Sequence, residues 1–236
     1  MAEPLRLTFA SYNIHKGVGV DRRLDPDRII SVMRETRADV IALQEADRRF
    51  GTRAAILPRA LLDDTPWRVV PVARRRQSMG WHGNAILARR DMDVSHSEAL
   101  HLPTLEPRGA ARADLTVEGR TFRVVGMHLD LSGLRRRDQI RAVLKHCRDC
   151  DGDPPTVLMG DFNQWGRTRG AMQEFGDGWT DLPAGASFPS RRPLAWLDRI
   201  LVTEEWRCEN VSVHHSSLAS VASDHLPVIA HLELPA

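Results

Sequence analysis

Polar side chains of a few types recur beside the ends of apolar runs in this chain. Asn13 closes LRLTFASYN, Glu45 closes VIALQE, and His128 and Asp130 lie at the end of TFRVVGMHLD. Asp161 and Asn163 follow TVLMG, Asp198 sits in LDRILV, and Asp224 and His225 stand together in SDHLP. One acid at a strand end is ordinary turn chemistry. A set of this size points to a shared pocket, because strand ends are where a rigid scaffold presents side chains. Carboxylates and amides are hard oxygen donors, suited to Mg²⁺ or Mn²⁺ rather than zinc. Histidines supply a general acid or base near neutral pH, and an asparagine amide can hydrogen-bond a phosphoryl oxygen without adding repelling charge. The pattern holds no activated serine or cysteine, so water is the expected nucleophile and a phosphate ester the expected electrophile.

The elements that must position these groups can be read from periodicity and turn residues. Leu5 to Asn13 reads as a strand, followed by a polar loop over His15 to Arg23. Asp25 and Pro26 then supply an N-cap and a first-turn proline for a helix with Ile29, Ile30, Val32 and Met33 on its apolar face, ending near Arg37. Asp39 opens VIALQE, a short run suited to a buried strand. Further strands are expected over Arg68 to Val72, Asn84 to Ala88, Ala111 to Val117 and Thr121 to Leu129, with Glu118-Gly119 as a tight hairpin turn. Ser132 is expected to cap a helix whose buried face is Leu134, Ile140, Val143, Leu144 and Cys147, and Asp153-Pro154-Pro155 to end it. Thr156 to Met159 reads as a buried strand and Thr168 to Phe175 as a short helix. A Pro/Gly/Ser-rich loop over Leu182 to Pro193 precedes strands at Leu197 to Val202, Val211 to His214 and Val228 to Leu234. Strand, helix and strand follow one another from Leu5 and again from Arg120, so two sheets packed face to face with helices outside are expected.

Composition narrows the classes. The 236 residues are 42% hydrophobic and 27% charged, which suits one folded domain over 1–236 rather than a disordered chain. Lys and Arg total 33 against 31 Asp and Glu, for a net charge of +2, so bulk charge does not drive binding to a polyanion. Met1 to Pro4 has neither a basic nor an apolar region, and no run approaches the ~18 apolar residues of a membrane span. A cytoplasmic monomer without membrane insertion is expected. Arginine supplies all positive charges except Lys16 and Lys145, and its fork suits bidentate phosphate contacts.

The runs YNIHKG, LQEAD, GMHLD, GDFNQW, LDRI and SDHLP resemble, in content and order, the motifs of the endonuclease/exonuclease/phosphatase superfamily, which includes pancreatic-type deoxyribonucleases, AP endonucleases, neutral sphingomyelinases and inositol-polyphosphate phosphatases. The resemblance spans Asn13 to His225. It implies a four-layered α/β sandwich, with two packed, mostly antiparallel or mixed sheets and helices outside. It further implies a hydrolase that uses Mg²⁺ or Mn²⁺. Carried over by residue, Glu45 resembles the principal metal ligand, with Asn13 beside it and Asp224 as a further ligand or orienting group. Asp161 would position or deprotonate the attacking water, and Asn163 would bind a phosphoryl oxygen. Asp198 would orient His225, as base or phosphate contact, and His128 would protonate the leaving oxygen. AP endonucleases carry an acid where this chain has His15, so AP-site repair is not the expected role. The expected substrate is nucleic acid, with a phospholipid or other small phosphate ester as the alternative and a non-catalytic nucleic-acid-binding module third.

Arginine-rich loops would grip phosphates, Arg135 and Arg191 being the best placed, and Arg112 is expected to face the same pocket. Asn84 resembles a family position near the phosphate. Trp165 and Trp196 are expected to pack beneath the catalytic blocks. Cys147 and Cys150 have the spacing of a zinc or redox pair, but with only Cys208 as a third thiol they read as inert or oxidisable. His96 and His146 read as plain surface or packed side chains.

Overall fold

The computed structural model describes residues 3–104, 108–150, 152–166 and 169–236. Nine-residue β1 (Leu5–Asn13) leads into α1 (Pro26–Thr36) and returns as β2 (Val40–Gln44), which pairs with β1 in parallel. The Asp25 carboxylate caps α1 by accepting from the Arg28 amide at 3.0 Å, and Pro26 opens the first turn. The same unit recurs later. Strand β7 (Arg120–His128), α3 (Gly133–Asp149) and β8 (Thr156–Asp161) form a second parallel crossover.

Each parallel pair lies at the centre of a six-stranded sheet. The first runs β11 (Arg207–Val213), β12 (Val228–Leu234), β1, β2, β4 (Ala85–Arg89), β3 (Trp67–Val69). The second runs β5 (Asp93–Leu100), β6 (Gly109–Val117), β7, β8, β10 (Asp198–Val202), β9 (Thr180–Asp181). Short helices α2 (Arg59–Asp63) and α4 (Ala219–Ala222) accompany the first sheet.

Period-two alternation sorts the side chains. Leu5, Leu7 and Phe9 of β1 meet Phe122 and Val124 of β7, Met159 of β8 and Trp206 in a core between the sheets. Tyr12, Ile41 and Leu43 face α1, while Val125, Met127 and Leu158 face α3. Four layers result, helix, sheet, sheet, helix, as expected. Among the described residues, no helix is long and apolar enough to cross a membrane.

Most expected elements lie within two or three residues of the observed ones. Strand β5 is absent from the sequence-based expectations. Its sequence, DVSHSEAL, is polar along much of an exposed edge, so it lacks the alternation that marks a half-buried strand. Leu134, expected on the buried face of α3, is 74% exposed, because it sits in the first turn, ahead of the stretch packed on the sheet. The expected short helix is a 3₁₀ turn over Gly170–Glu174; Thr168, its expected start, lies outside the described residues.

Candidate active site

Parallel strands that leave their sheets in the same direction bring their last residues to one edge. Asn13 ends β1 level with Gln44 of β2, so Glu45 follows beside it. His128 ends β7 level with Asp161 at the end of β8, and Asp161 is level with Asp198 at the start of antiparallel β10. The two sheets share this rim: the Asn13 amide nitrogen of one donates to Asp161 Oδ2 of the other at 3.0 Å.

Asp161 is the hub. Its Oδ2 also lies 3.4 Å from His128 Nε2 and 3.8 Å from His225 Nε2, and its Oδ1 accepts the Asn163 backbone N–H at 2.9 Å. His225 is held from behind, its Nδ1 2.7 Å from Asp198 Oδ2, and that oxygen also accepts from the Ser187 hydroxyl at 2.5 Å. The other Asp198 oxygen is buried without a hydrogen-bond partner among the described residues. The Ser223 hydroxyl donates to the Asn13 carbonyl at 2.7 Å and accepts the His225 amide at 3.2 Å, which ties the SDHLP turn to the end of β1.

Glu45 occupies a left-handed conformation (φ 55°), as do His15, Lys16, His82 and Asn163 around it. Such conformations cost non-glycine residues of order 1–3 kcal/mol each and concentrate at functional sites. Gly83, at φ 84°, lets its loop close over Glu45, since a Cβ there would lie 3.3 Å from the Glu45 Cα. The Lys16 ammonium is ion-paired with Glu45. Glu45, Lys16, His82, Gly83, Arg108 and His128 line one cavity. Asp224 Oδ1 lies 3.9 Å from His15 Nδ1 on the same rim.

The two histidines flanking Asp161 differ in charge. Burial holds the His128 imidazole neutral, down to a pKa of about 3, against the opposing pull of Asp161. Burial also disfavours charge on His225, but Asp198, then Asp161 and Asp224, outweigh it and raise its pKa to about 10. At pH 7 the carboxylate therefore lies between a neutral ring and an imidazolium. In the same cavity, burial and then Arg53 lower His82 to about 4.

The residues expected at the site thus largely meet: Asn13, His128, Asp161, Asn163, Asp198 and His225 are linked by direct contacts, with Glu45 and Asp224 on the same rim. Arg112 is a correction. It lies on the face of β6 that points to α3, paired with Asp114 at 2.5 Å and Glu98 at 2.9 Å, and is buried there. Alternation offers two equivalent faces at this point, since Ala110 and Ala111 are both small. Asn84 spends both amide protons on carbonyls, those of Gly109 at 3.0 Å and Trp81 at 3.2 Å, which pins the Trp81 loop to β6. Arg135 is half-buried at the start of α3, and Arg191 is exposed. Trp165 is not beneath the site but 68% exposed, with its ring 6.4 Å from Phe188, which in turn lies 4.9 Å from the His225 ring. Sequence reading missed Lys16, Ser187 and Ser223. The signal for Lys16 was its rarity, as one of two lysines.

The oxygen donors on the rim (Glu45, Asp224, Asn13) fit a hard divalent cation. The Lys16 ammonium on Glu45 and the unpartnered buried oxygen of Asp198 both indicate a site built to be balanced by positive charge.

The model of the Endonuclease/Exonuclease/phosphatase family matches residues 10–225. No curated protein sequence matches the chain. Among solved structures, an endonuclease/exonuclease/phosphatase from Bacteroides vulgatus superposes with a TM-score of 0.77 at 18% identity, covering 98% of this chain and 99% of that one. D. rerio TDP2 complexed with single strand DNA product gives 0.72 at 17% identity, covering 96% and 98%. A mannosyl-6-phosphatase of Bacteroides thetaiotaomicron VPI-5482 gives 0.74 at 19%, covering 96% and 99%. These likenesses extend over nearly the whole fold and are similar in degree, although the last two proteins are described with different ligands and chemistry.

Proposed function

The chain belongs to the endonuclease/exonuclease/phosphatase family, and on that premise we propose that residues 1–236 form one phosphodiesterase domain that uses a divalent cation and a water nucleophile, with nucleic acid as substrate. The observation that carries this reading is the convergence of Asn13, Asp161, Asp198 and His225, from both sheets, within hydrogen-bond or ion-pair distance at one rim. Glu45, with Asp224 and the Asn13 side-chain oxygen nearby, would hold the ion, Mg²⁺ or Mn²⁺. Such an ion supplies Lewis-acid stabilisation of charge on the phosphoryl oxygens and makes water a better nucleophile.

The chain's own groups do the rest. Asp161, aimed by Asn13 and by the Asn163 backbone, orients the attacking water and takes its proton as oxygen bonds to phosphorus and the opposite P–O bond breaks. The Asn163 side chain, anchored by one bond to the Leu129 carbonyl at 2.9 Å, has a second amide proton for a phosphoryl oxygen. Asp198 keeps His225 charged. That favours His225 as a cationic phosphate contact and proton donor to the leaving oxygen over a role as base. His128, neutral to about pH 3, is a poor proton donor at pH 7 and serves as a neutral wall and hydrogen-bond partner beside Asp161. The preference for nucleic acid is supported by the exposed Trp165 in the aromatic series leading to His225, a platform on which a base can stack, and by the arginines at the rim.

The test is hydrolysis of bis(p-nitrophenyl) phosphate with Mg²⁺ or Mn²⁺, with and without EDTA. Alongside it runs a panel of single-stranded DNA, single-stranded RNA, sphingomyelin, inositol phosphates and mannose 6-phosphate under one metal condition. Chelator-sensitive turnover with nucleic acid as the best substrate is expected. No turnover on any of them would leave a binding module, and preference for the sugar phosphate would replace the substrate class.

A further inference from the structure

A second group of metal-ligating side chains lies on the far side of the second sheet. His96 and Glu98 are two residues apart on β5 and so share a face, and His146 and Cys150 are four apart at the C-terminal end of α3 and share another. The two faces meet. Glu98 Oε1 lies 2.9 Å from His146 Nε2 and 3.2 Å from His96 Nε2, and His146 Nε2 lies 3.4 Å from Cys150 Sγ. Ligand atoms of Glu98, His146 and Cys150 all fall within 4.8 Å of one another. One cation already sits among them. Arg112 Nη1 is 2.5 Å from Cys150 Sγ, 2.9 Å from Glu98 Oε1 and 3.4 Å from His146 Nε2, so three donors on two elements are aimed at a single positively charged point.

We propose that Glu98, His146 and Cys150 form a binding site for a zinc-like divalent transition-metal ion that clamps the end of α3 to edge strand β5. An imidazole, a thiolate and a carboxylate, with water in the fourth position, make a set suited to zinc and foreign to Mg²⁺, in contrast to the oxygen-rich rim. The ion displaces the whole Arg112 guanidinium, whose rigid plane carries Nε and Nη2 away with Nη1, and Asp114 keeps Arg123 as its partner at 2.9 Å. Glu98 and His146 are about a third exposed, so the ion enters from solvent. Cys147 takes no part: it packs in the core under α3, where burial raises its thiol to about 11. That is why the two-residue cysteine spacing alone gives no site. The thirteen residues from Gly133 to His146 carry the helix about 20 Å away from the rim, so the ion is structural and apart from the hydrolytic centre.

Co²⁺ titration of the full-length chain under reducing conditions tests this. A thiolate-to-cobalt charge-transfer band is expected at one equivalent, and Zn²⁺ should abolish it. The active-site rim has no thiol and cannot produce that band. Cys150→Ser should remove it and His146→Ala should weaken binding at least tenfold, whereas Cys208→Ser should leave it unchanged. Urea unfolding of Cys150→Ser in EDTA, matched to the parent, establishes that the variant folds. Absence of the band in the parent chain, or its survival in folded Cys150→Ser, overturns the proposal and leaves an ion-pair network around Arg112 only.

Discussion

At the scale of single residues, the site depends on how Asp198 sets the charge of His225. Replacing that carboxylate by an amide, Asp198→Asn, removes the main force opposing burial, so the ring should be neutral at pH 7. The loss of an orienting partner of this kind costs about 10–100-fold in activity. Ring ¹⁵N NMR should report the lost proton and kinetics a fall in kcat of that size; an unchanged ring signal would remove Asp198 from its assigned role. The same shift has a signature in stability. The folded value of about 10 lies above the ordinary value near 6.5, so the folded state binds the proton more tightly than the unfolded chain does. The stability this contributes is complete below about pH 6.5 and is lost as pH rises through 10. Relative to His225→Gln, the parent should therefore lose urea resistance steadily over that window, measured in EDTA. The types and order of these residues were legible before folding. Their electrostatics were not, because the contrast between His128 and His225 comes from burial and from Asp198, which opens β10 far from either histidine in the chain.

At the scale of elements, the two crossovers of strand, helix and parallel strand aim the rim, and close backbone packing keeps their registers. Gly160 shows how tight this is: a Cβ there would lie 1.9 Å from the Met127 carbonyl oxygen of the neighbouring strand. Gly160→Ala should destabilise the fold by about 3 kcal/mol, at the upper end for overpacking. Gly178→Ala, in open space, should change stability by less than about 0.5 kcal/mol. Equal urea midpoints for the two variants would contradict this account of the β7–β8 register. Elements were legible where burial imposed a period, as in β1, β2 and α1. They were not where an edge strand such as β5 or a first helical turn such as that of Leu134 faces solvent. Arg112 shows the limit within a well-read strand: β6 itself was expected, but its face was settled only by Asp114, which pairs with both Arg112 and Arg123 beneath α3.

At the scale of the whole molecule, near-neutral net charge leaves any grip on a polyanion to a few arginines at the rim. The double substitution Arg135→Ala with Arg191→Ala should weaken single-stranded nucleic acid and flatten the dependence of log K on log salt by about 0.7 for each phosphate no longer neutralised. Turnover of bis(p-nitrophenyl) phosphate should stay at the parent level; equal loss on both substrates would indicate damage to the fold instead. The first sheet has a further property. Strand β12 lies between β11 and β1, pairing Leu5 with Leu234, and Ser223 braces the Asn13 carbonyl. A ribosome makes Asn13 long before this strand. The end of β1 therefore gains its second neighbouring strand, and Asn13 its brace, only after synthesis has passed β12.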